Sequence, residues 1–190
     1  MSAPVPITKE VSQSFRDALG ERGIDYIPNQ QIVELDTQAS EARVAEGESI
    51  PYDLFVGIPV HRAPQVVLES GLADGGWVPV ERTNLATRFP DVYAVGDVTA
   101  LPMAKAGVFA EAAARVVSDD IAARLHGQEL EQPYEGAGMC YLEFGGGAVA
   151  KVEANFFGGP QPTARLVGPS QELAADKVEF ASTRRKRWFG

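Results

Sequence analysis

The sequence is poor in the residues that form disulfide bonds and metal sites. Its 190 residues contain one cysteine, Cys140, and two histidines, His61 and His126. A single cysteine cannot form a disulfide within the chain, and the two histidines lie far apart with no metal-ligand spacing around them. The sequence therefore predicts no internal disulfide and no metal site.

Long apolar runs and an excess of positive charge are also missing. A membrane-spanning helix needs about 18 nearly uncharged residues, and charged residues interrupt this chain too often for that. The stretch MSAPVPITKEV lacks the basic and apolar regions of a secretory signal, which makes a cytoplasmic location the expectation. The formal charge of −9 at pH 7 argues against a nucleic-acid partner, because phosphate contacts need a basic face.

The chain does have enough apolar residues for a core, since 45% of its residues are hydrophobic. After Thr8, which can cap a helix, apolar residues recur at four-residue intervals from Val11 to Leu19. A longer run, residues 105–126, has an apolar ridge at the same spacing, and Gly127 follows it as a stop. These two patterns predict amphipathic helices.

Short apolar runs bounded by turn-forming residues predict β-strands. The stretch EARVAEGESIPYD looks like a hairpin that turns at Glu46-Gly47. The run DLFVGIP, Asp53 to Pro59, has the composition of a strand covered on both faces. Further strands are expected around Tyr26, at residues 32–35, at WVPV and at VYAVGD.

The composition changes after Gly127. The stretch YEGAGMCYLEFGGGAVAKVEANFF is rich in glycine and alternating aromatics, which predicts a small antiparallel sheet with a glycine turn at residues 145–147. A helix capped by Ser170 and a basic, aromatic tail are expected to close the chain.

The dipeptide Gly96-Asp97 stands between an apolar run and the long helix. A helix N-terminus offers free N–H groups and partial positive charge, and ligands of α/β proteins bind at the carboxyl ends of strands. Gly96 would admit a bulky polar ligand, and Asp97 would accept hydrogen bonds from its hydroxyl groups. The same dipeptide also arises where Asp only caps or forms an Asx turn and Gly only turns the chain. Taken alone, the two residues leave both interpretations open.

The surroundings of the dipeptide resemble a known motif. TRFPDVYAVGD is similar to the second flavin-binding motif of flavoproteins with two dinucleotide domains, and the helix after it resembles the one whose N-terminus faces the flavin ring. PYDLFVGIPVHRAPQVV, YEGAGMCYLEFGGGAVAKVEANF and the terminal RRKRWFG extend the similarity. Together they resemble the pyridine nucleotide-disulfide oxidoreductase superfamily, in its sulfide:quinone oxidoreductase and flavocytochrome c sulfide dehydrogenase branch.

This resemblance implies an α/β fold: a partial Rossmann-like FAD/NAD(P)-binding fold that lacks the first Gly-x-Gly-x-x-Gly unit, plus a small C-terminal α+β module. Residues 1–60 would be the remaining part of an NADH-type domain, residues 61–130 the distal half of an FAD-binding domain, and residues 131–190 a sheet-plus-helix module. Because the usual pyrophosphate cradle is missing, the chain is expected to be the C-terminal portion of a longer flavoprotein. It would then need the N-terminal flavin-binding half as a partner and be inactive alone.

The resemblance also assigns residues to the implied cofactor, FAD. Gly96 and Asp97 would contact the ribityl-phosphate region. The start of the long helix would lie against the isoalloxazine ring. Its residues are Lys105, Ala106, Gly107 and Val108. A helix N-terminus with a lysine nearby stabilises the negative charge of a reduced flavin.

Cys140 matches the position of a redox cysteine in the family and is the candidate catalytic residue. Its alternative role is that of a small buried residue in a strand. The reaction implied by the family is two-electron transfer through FAD, from sulfide or NAD(P)H to a quinone or a cytochrome.

Three expectations concern partners and competing functions. The tail from Arg184 to Phe189 suits an anionic membrane surface, which would place the protein at a membrane periphery, with a solvated helix end as the alternative. Exposed sheet edges favour a homodimer. The competing functions are a non-catalytic interaction or assembly module and a domain that binds NAD alone. The second is weakened because no phosphate-binding glycine loop precedes a helix.

Overall fold

A computed structural model describes residues 8–190. The chain divides into two compact units, of which the first ends at His61 and the second begins at Arg62. Each unit contains a three-stranded antiparallel sheet, which is accompanied by one α-helix within residues 8–61 and by three within residues 62–190. The mixed α/β class is thereby confirmed, while the division into three domains stays a prediction.

The first unit begins with the predicted helix. Helix α1 spans Lys9–Gly20, and the Thr8 hydroxyl accepts a hydrogen bond of 3.3 Å from the amide of Val11, as an N-cap does. Val11 is buried at 2% exposure while Phe15 and Leu19 are half-buried, so the apolar face of the helix is partly covered. The capped amphipathic helix is confirmed.

A small sheet follows α1 in the first unit. Strands β1, Ile32–Asp36, and β3, Ile50–Pro51, both pair antiparallel with β2, Glu41–Val44. The predicted hairpin is confirmed, because Ala42 lies opposite Ile50 across the turn. No strand forms around Tyr26.

The predicted strand at Asp53–Pro59 is wrong. These residues have no regular secondary structure, and the side chains of Val56 and Ile58 are each 86% exposed. The apolar composition that suggested a doubly covered strand is present, but no other strand among residues 8–61 pairs with it.

The first half of the second unit is mostly loop. The predicted strands at WVPV and VYAVGD, which follow the short helix α2, Gln65–Glu69, are wrong. This region forms only isolated bridges: Asp74 with Trp77 antiparallel, Val78 with Thr99 in parallel and Ala86 with Tyr93 antiparallel. The residues after VYAV turn in a short 3-10 helix, Gly96–Val98. The chain here is held by single hydrogen-bonded bridges and by packing, not by a sheet.

The long helix α3 spans Gly107–Leu125, two residues shorter at its start than expected. It covers the core of the second unit, which is built on Leu85, Ala113 and Tyr134. Leu85 is fully buried although it lies in a loop. The loop region and α3 therefore share one apolar cluster.

The C-terminal sheet and helix are confirmed. Strands β4, Ala137–Gly145, and β6, Thr163–Ser170, both pair antiparallel with the central strand β5, Ala148–Asn155. The turn between β4 and β5 contains the predicted glycines, and all three at 145–147 have positive φ. Helix α4, Gln171–Phe189, starts after Ser170, whose hydroxyl accepts from the amide of Leu173 at 3.2 Å.

Candidate functional site

The loop that contains Gly96 packs closely against helix α3. Its φ is +74°, a conformation that favours glycine. A Cβ placed on Gly96 would lie 3.2 Å from the Cβ of Ala110 on α3. The buried residue Thr99 closes the turn, because its hydroxyl donates to the carbonyl of Gly96 at 2.9 Å. The need for glycine at this position thus follows from packing within the chain.

Asp97 follows this turn and points a charged group outward. Its side chain is exposed, and within residues 8–190 its carboxylate accepts no hydrogen bond. The turn therefore does not use the carboxylate as a cap. This leaves the oxygens of Asp97 available to donors from outside the described chain.

Lys105 is bound to the same loop. Its ammonium donates to the carbonyl oxygens of Asp97 at 2.6 Å and Thr99 at 2.9 Å, and it lies 4.1 Å from the centre of the Trp77 ring. Burial lowers the pKa of Lys105 below its usual value, and the negative charge of Asp97 opposes that shift. The two hydrogen bonds of Lys105 thus stabilise the loop before α3, and its ammonium group places one positive charge beside this loop.

The N-terminus of α3 has no side-chain cap. Ala106 is the N-cap residue, with extended φ and ψ of −149° and 149°, and the first turn carries no acidic residue. Among residues 8–190, the amides of Gly107 and Val108 have no hydrogen-bond acceptor. The positive end of a 19-residue helix is therefore left without a counter-charge from its own first turn.

These elements meet at one hollow on the second unit. Its wall includes five residues of the predicted site or its vicinity: Gly96, Asp97, Thr99, Lys105 and Ala106. Gly107 and Val108 continue the helix from Ala106 without lining the hollow. The loop turn and the start of the helix, ten positions apart in the sequence, thus lie together, although no strand connects to them.

Tyr134 forms part of the same wall and has no counterpart in the sequence-based predictions. Its hydroxyl donates to the carbonyl oxygen of Phe109 at 3.2 Å, and burial raises the pKa of Tyr134 to about 12. Trp77, under the Lys105 ammonium, was equally unforeseen. Tyr134 opens the stretch YEGAGMC and Trp77 opens WVPV, but nothing in either pattern signals a place at this site, which only the folded arrangement reveals.

Cys140 lies in the middle of β4, opposite Val152 on β5. Side chains alternate along a strand, so Cys140 shares a face with Gly138, which packs against the ring of Phe109 on α3, while Tyr141 faces α4. Burial raises the pKa of the Cys140 thiol, which favours the protonated form over the nucleophilic thiolate. The catalytic assignment of Cys140 stays a prediction.

The basic tail is partly tied to α3. Arg184 and Arg187 on α4 both contact the carboxylate of Glu111, at 2.8 and 2.9 Å. Trp188 and Phe189 are exposed at 56% and 82%.

Within residues 8–190, no helix combines the length and apolar character that crossing a membrane requires, and no group of three or more His, Cys, Asp or Glu side chains is arranged to hold a metal ion.

Comparison with known proteins gives a consistent set of relatives. The chain is 25% identical over 163 residues to mouse mitochondrial sulfide:quinone oxidoreductase, covering 82% of this chain and 36% of that protein. It is 33% identical over 105 residues to the mitochondrial sulfide:quinone oxidoreductase of Schizosaccharomyces pombe, covering 54% and 23%. An FAD-dependent oxidoreductase of Flammulina velutipes is 30% identical over 117 residues, covering 60% and 35%. The chain thus spans about a quarter to a third of the length of these relatives.

Solved structures show the same fold. A chain in the mitochondrial ATP synthase structure of Tetrahymena thermophila matches with a TM-score of 0.68 at 21% identity, covering 83% of this chain and 39% of that one. A ferredoxin reductase of Rhodopseudomonas palustris matches with a TM-score of 0.57 at 23% identity, covering 82% and 39%. The likeness to the reductase supports a partial Rossmann-like fold.

The family assignment rests on the N-terminal part of the sequence. The family model described as pyridine nucleotide-disulphide oxidoreductase matches residues 3–116. The match includes the turn at Gly96 and the beginning of α3. The chain belongs to the pyridine nucleotide-disulphide oxidoreductase family.

Proposed function

We propose that the chain supplies the part of a flavoprotein oxidoreductase that holds the ribityl and isoalloxazine portions of FAD. The observation that carries the proposal is the juxtaposition of an exposed, unbonded Asp97 carboxylate with the uncapped start of α3, whose N-cap residue Ala106 lines the same hollow as Asp97. A carboxylate accepts hydrogen bonds from ligand hydroxyls, and a bare helix N-terminus donates to electron-rich atoms. Two complementary kinds of polar group thus lie side by side.

The residues present fit such a cofactor. Asp97 offers acceptors for ribityl hydroxyls, and Gly107 and Val108 offer amide donors. Lys105 adds a positive charge next to the hollow while its hydrogen bonds keep the loop in place. Gly96 contributes by bringing the loop against α3, so its role is to shape the site and not to touch the ligand through a side chain.

When bound, FAD supplies two-electron transfer between a donor and an acceptor. The chain's own part is to orient the cofactor through Asp97 and to stabilise negative charge near the α3 N-terminus, where the helix dipole is positive. We infer sulfide or NAD(P)H as the donor and a quinone or a cytochrome as the acceptor. The names of the mouse and yeast relatives support sulfide and quinone within that set.

The remaining roles complete the proposal. Cys140, on the α3 side of the C-terminal sheet, is the candidate redox residue, and it needs a neighbouring positive charge to offset the effect of burial on its thiol pKa. The N-terminal flavin-binding portion of such an enzyme is the proposed partner, without which the chain is inactive. A cytoplasmic location with peripheral membrane contact through Arg184–Phe189 is part of the same proposal.

A flavin titration of the 190-residue chain tests the site. Quenching of FAD fluorescence is expected to give weak, saturable binding, and Asp97→Ala is expected to weaken it about 10-fold, the effect of losing hydrogen bonds to a charged group. Asp119→Ala is the matched control, because Asp119 is an exposed aspartate on α3 that does not line this hollow. Equal affinities for the two variants would overturn the proposal, as would no binding even when the N-terminal flavin-binding portion is supplied, and either result would favour the non-catalytic interaction module.

A further inference from the structure

Asp120, on α3, is the only acidic or basic residue within residues 8–190 that is buried, at 5% exposure. The hydroxyl of Tyr93 donates to its carboxylate at 2.6 Å, and Arg124, one turn further along the helix, donates to the same hydroxyl at 2.7 Å. Arg124 also pairs with the carboxylate of Asp91 at 3.0 Å. Two residues of the loop that precedes α3 are thus held by polar contacts to the second half of that helix.

A buried polar network of this kind adds little to stability by itself. Removing a carboxylate from water costs free energy that its hydrogen bonds only partly offset, and well-packed apolar side chains in the same place are often as stable. The carboxylate is satisfied, however, in only one arrangement of its donors. The hydrogen bond between Tyr93 and Asp120 therefore favours one placement of the loop along α3.

The same loop contacts α3 a second time at Gly96. A Cβ on Gly96 would lie 3.2 Å from that of Ala110, and Ala110 precedes Asp120 by ten positions, which is about 15 Å along the helix axis. From Tyr93 to Gly96 the chain advances three positions, and an extended chain spans at most about 10–11 Å over that distance. Val95, between them, is extended, with φ −134° and ψ 159°. The segment between the two contacts has little freedom to lengthen, so a shift of Tyr93 moves Gly96.

The turn that follows this segment carries the groups of the candidate site. The amide and the hydroxyl of Thr99 both donate to the carbonyl of Gly96, at 3.2 and 2.9 Å. Lys105 donates to the carbonyl of Asp97, the residue after Gly96. A displacement of Gly96 along α3 would therefore change the position of Asp97 relative to the uncapped start of that helix.

We propose that Asp120 is a positioning residue for the candidate flavin site, because through the Tyr93 hydroxyl it sets where the Gly96-Asp97 turn lies along α3. The inference rests on the proposed function for the identity of the ligand, but the placement of the turn can be measured without a ligand. Neither Asp120 nor Tyr93 lines the hollow, so both act at a distance from it. If Asp120 served only the stability of the fold, its loss would affect the whole unit and not the turn in particular.

Hydrogen exchange of the backbone amides in the ligand-free 190-residue chain tests the positioning. Tyr93→Phe removes only the hydroxyl, and the amide of Thr99, which donates to the carbonyl of Gly96, should then exchange at least ~10-fold faster. Tyr141→Phe is the matched control, because its hydroxyl donates to the carboxylate of Asp176 at 2.8 Å and it does not line the hollow. This control should leave the exchange of Thr99 within ~2-fold. Equal exchange of Thr99 in the two variants would overturn the proposal.

Two substitutions of Asp120 separate positioning from stability. Asp120→Asn keeps an oxygen that accepts from the Tyr93 hydroxyl, so the exchange rate of Thr99 should stay within ~3-fold of that in the unsubstituted chain. Asp120→Ala removes the acceptor and should reproduce the effect of Tyr93→Phe. If Asp120→Ala does not fold, the comparison of Asp120→Asn with Tyr93→Phe decides the question. Exchange of Thr99 as fast in Asp120→Asn as in Tyr93→Phe would contradict the proposal.

A titration with FAD connects the positioning to the proposed function. Tyr93→Phe should raise the dissociation constant at least ~5-fold, while Tyr141→Phe and Asp120→Asn should leave it within ~2-fold. If the unsubstituted chain binds FAD and Tyr93→Phe binds it equally well, the positioning role is wrong and the proposed function stands. If FAD does not bind even with the N-terminal flavin-binding portion supplied, but the exchange of Thr99 responds as expected, the proposed function is wrong and the positioning of the turn stands.

Discussion

Two apolar runs of similar composition, VYAVGD and DLFVGIP, end in different surroundings. In VYAVGD, Val95 packs against the Leu85 cluster and the amide of Ala94 donates to the carbonyl of Leu85 at 3.2 Å. In DLFVGIP, Val56 and Ile58 are 86% exposed, and no main-chain hydrogen bond to another described residue is present. Both runs were predicted to be strands, and neither forms one.

The difference shows that an apolar run favours burial of its side chains. It does not determine whether a strand, a loop or a helix buries them. In VYAVGD the cover comes from a loop and a helix of the same unit, through Leu85 and Ala113. In DLFVGIP the described residues supply none, and the aliphatic side chains of the segment stay exposed.

The largest expected effect comes from one substitution made in both regions. Leu85→Ala removes a fully buried side chain and should lower the free energy of unfolding by about 2–5 kcal/mol. Leu54→Ala removes a side chain that is 81% exposed and should change it by less than about 0.5 kcal/mol in dilute solution. Urea unfolding followed by circular dichroism measures both, and similar losses would remove the contrast.

A smaller effect is expected at the turn before α3. Gly96→Ala places a Cβ 3.2 Å from that of Ala110 and forces a non-glycine residue to φ +74°, so it should cost about 2–3 kcal/mol. Gly75→Ala is the control, because Gly75 also has positive φ, at +59°, but nothing within 4 Å of its Cβ. It should cost about 1 kcal/mol. Equal losses of stability for the two variants in thermal unfolding would mean that the loop does not pack tightly against α3.

Glu111 should contribute less to the free energy of unfolding than Leu85 or Gly96. Glu111→Gln weakens the pairing with Arg184 and Arg187 at a half-buried site and should cost about 1 kcal/mol. The control is Glu143→Gln, which removes the charge from a more exposed pair with Lys177 and should cost less than about 0.5 kcal/mol. Thermal unfolding at low and high salt measures both changes, and a larger loss for the control would refute the assignment.

The smallest effects concern two tyrosines at high pH. Burial raises the pKa of Tyr134 to about 12, and burial with the Asp176 carboxylate raises that of Tyr141 to about 12. Since both values lie above the ordinary 10.0, the unfolded chain loses these protons first. Their contribution to stability is complete below pH 10 and is lost as the pH rises through about 12. In an ultraviolet titration, part of the tyrosine absorbance change should occur only well above pH 10, and this part should be smaller in Tyr134→Phe. An unchanged titration curve in the variant would contradict this.

Features with local causes could be predicted from the sequence. The caps at Thr8 and Ser170 depend on a hydroxyl within a few residues of a helix start, and the turn at residues 145–147 depends on its own glycines. Helix α3 starts two residues later than the sequence predicts because Lys105 bonds to the carbonyls of Asp97 and Thr99 and Ala106 is extended. Local signals therefore set most element boundaries to within a few residues.

Features with distant causes could not be predicted. Whether DLFVGIP forms a strand depends on a second strand, which its own residues do not encode. The partner of Glu111 is Arg184, 73 positions away, and Tyr134 joins the candidate site through a carbonyl 25 positions away. The resemblance identified Gly96 and Asp97, while the contacts that position them became visible only in the folded chain.

We propose that the turn at Gly96-Asp97 and the start of α3 together receive a flavin. The most direct measurement is a titration of the 15N-labelled chain with FAD, following each backbone amide by NMR. The amides of Gly96, Asp97, Gly107 and Val108 are predicted to shift first and most, in a saturable manner. Unmoved signals from these four residues at millimolar FAD, or shifts confined to other parts of the chain, would contradict the account.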